Sequence, residues 1–296
     1  MADIDRLREQ VRRLDHSYDT TPSALLVGPA GQCLGNITTL RRQAGGSVAD
    51  DLCAAEAAAA TLVGQLVWDA SQRREHAAAH RYFEQATIAA REIGDAAAEG
   101  LALLRASFVA LYGEDDPQRG RVLAAHAANV SRPVSAVLVG LASLHVAEAH
   151  AMMRERRDCE DALGEAEAYL THIEDSDPGQ SLFSPTQPGR LAGSCYLFLG
   201  DHKRAQHILE DTASAFGGVS KNQAIVWGNL GLAHIRQRQV DSAVDAVHRA
   251  IDVVETTRGG GGLNIVFDAG RELRPWRDLP VVRDVHDRLL TLMTAA

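Results

Sequence analysis

The chain has 296 residues, a formal net charge of −9, 46% hydrophobic residues and only 5% aromatic ones. Its apolar content leans on alanine, the best helix former, and no apolar/polar alternation marks a strand, so an all-α fold of many packed helices is expected. The acidic balance argues against direct DNA binding, which draws its affinity from neutralised phosphates, and no run reaches the ~20 apolar residues of a membrane span.

Residues 2–18 and 23–44 have the pattern of two irregular helices, the second predicted to break at Gly28-Pro29-Ala30-Gly31. Residues 48–72 are an alanine-rich helix leading into a first hairpin. Gly94-Asp95 and Gly200-Asp201 each pair a helix-ending glycine with a turn or cap residue, and Asp116-Pro117 is a helix start. Residues 174–185 are a loop, after which Ser184 as N-cap, Pro185 in the first turn and Gln187 restart a helix. The glycines 259–262 form a turn, followed by a segment 263–274 and a terminal helix near 280–294. Val281, Val285, Leu289 and Leu292 supply the apolar stripe of that helix. The predicted division is therefore 1–47 as linker or cap, 48–257 as repeats and 258–296 as capping helices.

One phrase recurs along this helical chain. Its clearest copy is Trp227, Leu230, Gly231, His234, Ala243, Val247 and Ala250; the copy before it is Gly193, Tyr196, Gly200, Ala205, Leu209 and Thr212. Looser copies centre on Ala147/His150/Cys159/Leu163/Ala166 and Val67/Ala79/Phe83/Ala86, with a degenerate one at Ser107/Gly120/Leu123. These offsets are those of the tetratricopeptide repeat, a helical hairpin with small residues where its helices touch. The small-residue anchors Ala79, Gly120, Cys159, Ala205 and Ala243 lie 41, 39, 46 and 38 residues apart, longer than the ~34 of the standard repeat. A single hairpin cannot bury its apolar face, so the copies should stack into a right-handed superhelical solenoid with a concave groove.

The segments Ala149-His150-Ala151-Met152, Arg190-Leu191-Ala192-Gly193-Ser194-Cys195-Tyr196, Asn229-Leu230-Gly231-Leu232-Ala233-His234 and Arg258-Gly259-Gly260-Gly261-Gly262-Leu263-Asn264 carry a family resemblance, as does Arg271-Glu272-Leu273-Arg274-Pro275-Trp276. They resemble the tetratricopeptide-repeat sensory domain of actinobacterial helix-turn-helix (XRE-type) transcription regulators. In layout those proteins resemble the peptide-sensing regulators of Gram-positive bacteria. The resemblance covers roughly residues 50–294. It implies a sensing or scaffolding role. The chain starts where the linker after a DNA-binding domain would lie, so it is expected to be a truncation or the repeats alone.

In such a repeat the first helix of each hairpin lines the groove. The register places Trp68, Ser71 and Gln72 there from the first hairpin, then Phe108, Leu111 and Tyr112 from the second. The third offers His145, Glu148 and Met152, the fourth Arg190, Ser194 and Phe198, and the fifth Asn229, Leu232 and Arg236. Of these, Trp68, Tyr112, Glu148, Arg190, Phe198, Asn229 and Arg236 form the predicted ligand set. Asn can bond both sides of an extended peptide backbone, Arg can fork onto a carboxylate, and the aromatics supply apolar walls. The competing reading is that the aromatics plug an alanine-rich superhelix and that Asn229 bonds a neighbouring helix.

Other chemistry has weaker signals. Cys33, Cys53, Cys159 and Cys195 form no CxxC pair, and free reduced thiols in a cytoplasmic protein are expected, with Cys159 packed as a small hydrophobe. His145 and His150 point roughly 140° apart on one helix. His76 and His80 alone make a weak pair, and His150 and His234 occupy an aromatic packing position, so no metal is expected. The glycines 259–262 read as a flexible turn or, less well, an anion site at a helix start; no Lys-Ser/Thr follows to make a P-loop. No catalytic motif and no cofactor is expected. Three functions stay open: a peptide- or ligand-sensing module of a transcription regulator, an interaction scaffold binding another protein or a second copy of the chain, and a biosynthetic enzyme on a repeat scaffold.

Overall fold

A computed structural model describes residues 2–294. Among them are fourteen α-helices and no strand. None of these helices is long and apolar enough to cross a membrane.

The helices fall into two compact units, one built from the N-terminal helix and residues 23–184, the other from residue 185 onward with the short stretch 19–22. In the first unit α1 (Ala2–His16) and α2 (Ser23–Arg41) pack on α3 (Ser47–Ala70). Three hairpins then follow in this unit: α3 with α4 (His76–Glu92), α5 (Ala96–Tyr112) with α6 (Pro117–Ser131), and α7 (Ala136–Met152) with α8 (Arg156–Leu170). The second unit holds α9 (Gln187–Phe198) with α10 (His202–Ser214) and α11 (Lys221–Arg236) with α12 (Val240–Thr257). There α13 (Gly260–Glu272) packs on α11, and α14 (Pro280–Thr294) packs on α12.

The small-residue anchors explain the hairpins. Ala79, Cys159, Ala205 and Ala243 are each fully buried, and Gly120 is buried too. The turns repeat as well. Arg154, Gly200 and Arg238 occupy the same offset in three copies, and all three have left-handed backbone, with φ of 65°, 79° and 61°. The following N–H then reaches back five residues in each copy: Glu155 to the His150 carbonyl at 2.9 Å, Asp201 to Tyr196 at 2.9 Å and Gln239 to His234 at 3.0 Å. This is the helix-ending geometry in which glycine is the unstrained choice. Asp95, Asp116 and Asp201 cap the helices that start after them, accepting from the N–H of Ala98, Arg119 and Arg204.

Four local expectations are corrected. Helix α2 runs unbroken through Pro29; the carbonyl left without a donor belongs to Leu25, which is 67% exposed, so water can serve it. Helix α9 starts at Gln187 with Thr186 as N-cap and Pro188 in its first turn, while Ser184 and Pro185 lie before the helix; a proline costs nothing among the first four N–H positions, and Pro188 occupies one of them. The glycines 260–262 are buried helix rather than a flexible turn or anion site: a side chain on Gly262 would come within 2.7 Å of the Ala224 Cβ, so the absence of Cβ lets α13 approach α11. In α14 the buried stripe is Val282, Val285, Leu289 and Leu292, and Val281 is exposed. Both valines fit a helical arc that includes the other three; the packing partners lie on the Val282 side.

Candidate functional site

The site lies within the first unit and grows from the end of α3. Ser71 holds the turn there. Its hydroxyl donates to the Trp68 carbonyl at 2.8 Å and accepts from the N–H groups of Arg74 and Glu75 at 3.1 and 3.0 Å. His76 Nε2 bonds the Arg73 carbonyl at 2.7 Å. Gln72 and Arg73 both take left-handed backbone, with φ of 55° and 62°, a costly conformation for side chains with a Cβ. Ser71 and Gln72 thus belong to the turn after α3, and the turn positions Arg73.

The Arg73 guanidinium lies 4.8 Å from the Trp68 ring centre and 5.4 Å from that of Tyr112. Along α5 the arginine–aromatic pattern continues: Phe108 and Tyr112 have ring centres 6.0 Å apart, and Arg105 stands 5.3 Å from the Phe108 ring. From α7 the His145 ring packs on Phe108 at 4.2 Å and meets Tyr112 edge-on at 6.0 Å. The Tyr112 hydroxyl donates to Glu148 and lies 2.8 Å from His145 Nδ1. A hydroxyl gives one proton, so with Glu148 taking it, Nδ1–H of His145 is the donor to the tyrosine oxygen. His145 and Glu148 are 4% and 3% exposed. They brace the aromatic wall from behind.

The unpaired donors stand out. Trp68 Nε1, Arg73 Nε and Arg105 Nε are all buried and have no hydrogen-bond acceptor. Leaving such a group unsatisfied costs about 1–3 kcal/mol, and buried polar groups are paired as a rule. What the surface can do chemically follows: it offers flat apolar walls and cationic donors to a ligand that brings acceptors.

Trp68, Tyr112 and Glu148 of the expected set therefore come together in the first unit, joined by Phe108 and His145. Arg190, Phe198, Asn229 and Arg236 lie in the second unit. Arg190 is half-buried, with Nε lacking an acceptor; Phe198 is half-buried and Asn229 buried. Arg236 is committed to Glu272 of α13, at 2.9 Å, and reaches the Leu197 carbonyl at 3.4 Å. Leu111, expected to line the groove, is 1% exposed and packs inside its own hairpin against Gly120. Arg73 and Arg105 went unnamed in the sequence. The signal for Arg105 was its position three and seven residues before Phe108 and Tyr112, on one helix face; Arg73 lies in a turn, where periodicity does not reach.

Two histidines serve equivalent hairpin turns. His150 Nδ1 bonds Glu155 and His234 Nδ1 bonds Gln239, each at 2.6 Å and each across the same turn of its repeat. Asp158 joins the first pair to give three potential metal-ligand atoms within 4.8 Å of one another. His80 pairs with Glu114 at 3.0 Å. The four cysteines are buried, and none is in a disulfide.

No family model matches the sequence, and no curated protein does. Solved structures share the fold. A Rap protein complexed with Competence and Sporulation Factor aligns with a TM-score of 0.58 and 13% identity, over 90% of this chain and 80% of that one. The apo form of the quorum sensor NprR from B. thuringiensis aligns with a TM-score of 0.55 and 14% identity, over 98% of this chain and 81% of that one. The chain is similar to these in its tetratricopeptide-like arrangement of helical hairpins.

Proposed function

We propose that this chain is the peptide-sensing module of a transcription regulator, and that its ligand lies on the surface formed by Trp68, Arg73, Arg105, Phe108 and Tyr112. The observation that carries the reading is the set of three buried donors without acceptors beside aromatic walls. A binding site needs few polar groups fixed among apolar ones, and here the turn around Ser71 and the His145–Glu148 brace fix them. The fold supports the reading by analogy alone: one similar structure is a complex with the Competence and Sporulation Factor, and another is a quorum sensor.

The test is native mass spectrometry of the protein purified from its own host. A retained species of peptide mass, released on denaturation, is the expected result. Co-purification of a folded protein as the only bound species would overturn the reading in favour of an interaction scaffold.

A further inference from the structure

Resting on that reading, we infer that the ligand is an acidic peptide, one of whose carboxylates is received by Arg73 and Trp68 Nε1 with Arg105 beside them. The inference comes from how the arginines of the chain are spent. Arg41 is held by Glu56 and Glu92, Arg236 by Glu272, and Arg288 by Asp252 and Glu255. Arg73 and Arg105 have aromatic rings for neighbours, and no ion pair with a described residue. The nearby acid, Glu148, accepts a hydrogen bond from the Tyr112 hydroxyl.

An apolar ligand over these groups would leave their donors unpaired, and a cationic one would add repulsion. A carboxylate supplies two oxygens that match a guanidinium fork. The rings already stack on both guanidinium groups and displace water from one side of each, which strengthens a charge pair relative to one in bulk solvent. The carboxylate can come from an Asp or Glu side chain or from the peptide's C-terminus.

Three hexapeptide pools separate these sources: acid-free with a free C-terminus, C-terminally amidated with Asp or Glu at one position, and amidated without any acid. The full chain, immobilised, should retain one or both carboxylate-bearing pools over the third by about ten-fold or more, the usual worth of a charged hydrogen bond. Which pool wins names the source. Arg73→Gln and Arg105→Gln should each reduce that preference while leaving the melting temperature close to that of the parent. Equal retention of all three pools would overturn the acidic inference and leave the peptide reading standing. Retention of none would overturn both, as would an undiminished preference in the Arg73→Gln/Arg105→Gln double variant overturn the placement at these arginines.

Discussion

Two arginine settings, one in each unit, show how similar side chains are spent differently. In the second unit Arg236 of α11 meets Glu272, because the glycine-rich start of α13 lets that helix settle on α11 and bring its acid within 2.9 Å. In the first unit Arg73 and Arg105 meet aromatic rings and no acid. The same residue type is a structural tie in one place and stands without an acid partner in the other. What decides is whether the next helix delivers a carboxylate. An arginine's identity in the sequence therefore says little; its partner says nearly everything.

That contrast is most exposed at Arg41. Its guanidinium bridges Glu92 and the buried Glu56, which is 4% exposed and also accepts from Gln85 at 2.6 Å; the hydrogen bonds it donates to these acids hold the arginine protonated well above its usual range. Arg41→Met strands the Glu56 charge and should destabilise the first unit by about 3–5 kcal/mol, read from chemical denaturation. A neutral result would mean that partnered arginines are not structural here.

The packing side of the comparison is tested at Ala243, fully buried between α11 and α12. Ala243→Leu should overpack the hairpin and cost about 1–3 kcal/mol. A tolerated leucine would show that the anchor is not a close contact.

A smaller effect is expected at Asp177, in the loop after α8. Burial alone would raise its carboxyl, but hydrogen bonds from the Ser135 hydroxyl at 2.6 Å and from the N–H groups of Gly179 and Val137 at 2.8 and 3.2 Å outweigh it and hold it below the ordinary value. Because the folded carboxyl is the stronger acid, its stabilisation is complete above the unfolded pKa, about 3.9, and is lost as pH falls through the folded one. Asp177→Asn should cost about 0.5–2 kcal/mol near pH 7, in the range of a lost helix cap, and the gap to the parent should close below about pH 4. A gap that is constant with pH would assign the effect to shape rather than charge.

The smallest effects separate the two kinds of arginine directly. Arg236→Gln should lose about 0.2–1 kcal/mol, since the pair with Glu272 is about one-third exposed and screened. Arg73→Gln gives up its ring contacts but removes a buried unpaired donor, opposing effects of similar size, so it should stay within about 1 kcal/mol of the parent. Thermal denaturation in which Arg73→Gln costs clearly more than that would make Arg73 a structural residue.

Much of the fold was legible in the sequence. Small residues at fixed offsets marked where helices touch, and Ala79, Cys159, Ala205 and Ala243 are all buried there, because only a small side chain fits between close helices. Aspartates before helices were legible as caps because capping is local. The helix break at Pro29 and the flexible role of the glycines 259–262 were misread for a shared reason: a proline's missing bond depends on whether water reaches one carbonyl, and a glycine's purpose depends on what packs beside it.

The ligand set divides along the same line. Periodicity placed Trp68, Tyr112 and Glu148 on the first helices of their hairpins, and the packing of α3, α5 and α7 brings them into one cluster, with Arg73 between Trp68 and Tyr112 and Glu148 bonded to the Tyr112 hydroxyl. Tertiary structure alone decided that Arg236 is paired and that Arg73 is not. Repeat offsets encode the direction in which a side chain leaves its own helix, which the sequence determines by itself. The charge waiting at the other end comes from a residue 36 positions away in the case of Arg236 and Glu272, and only the packing of whole helices brings the two together.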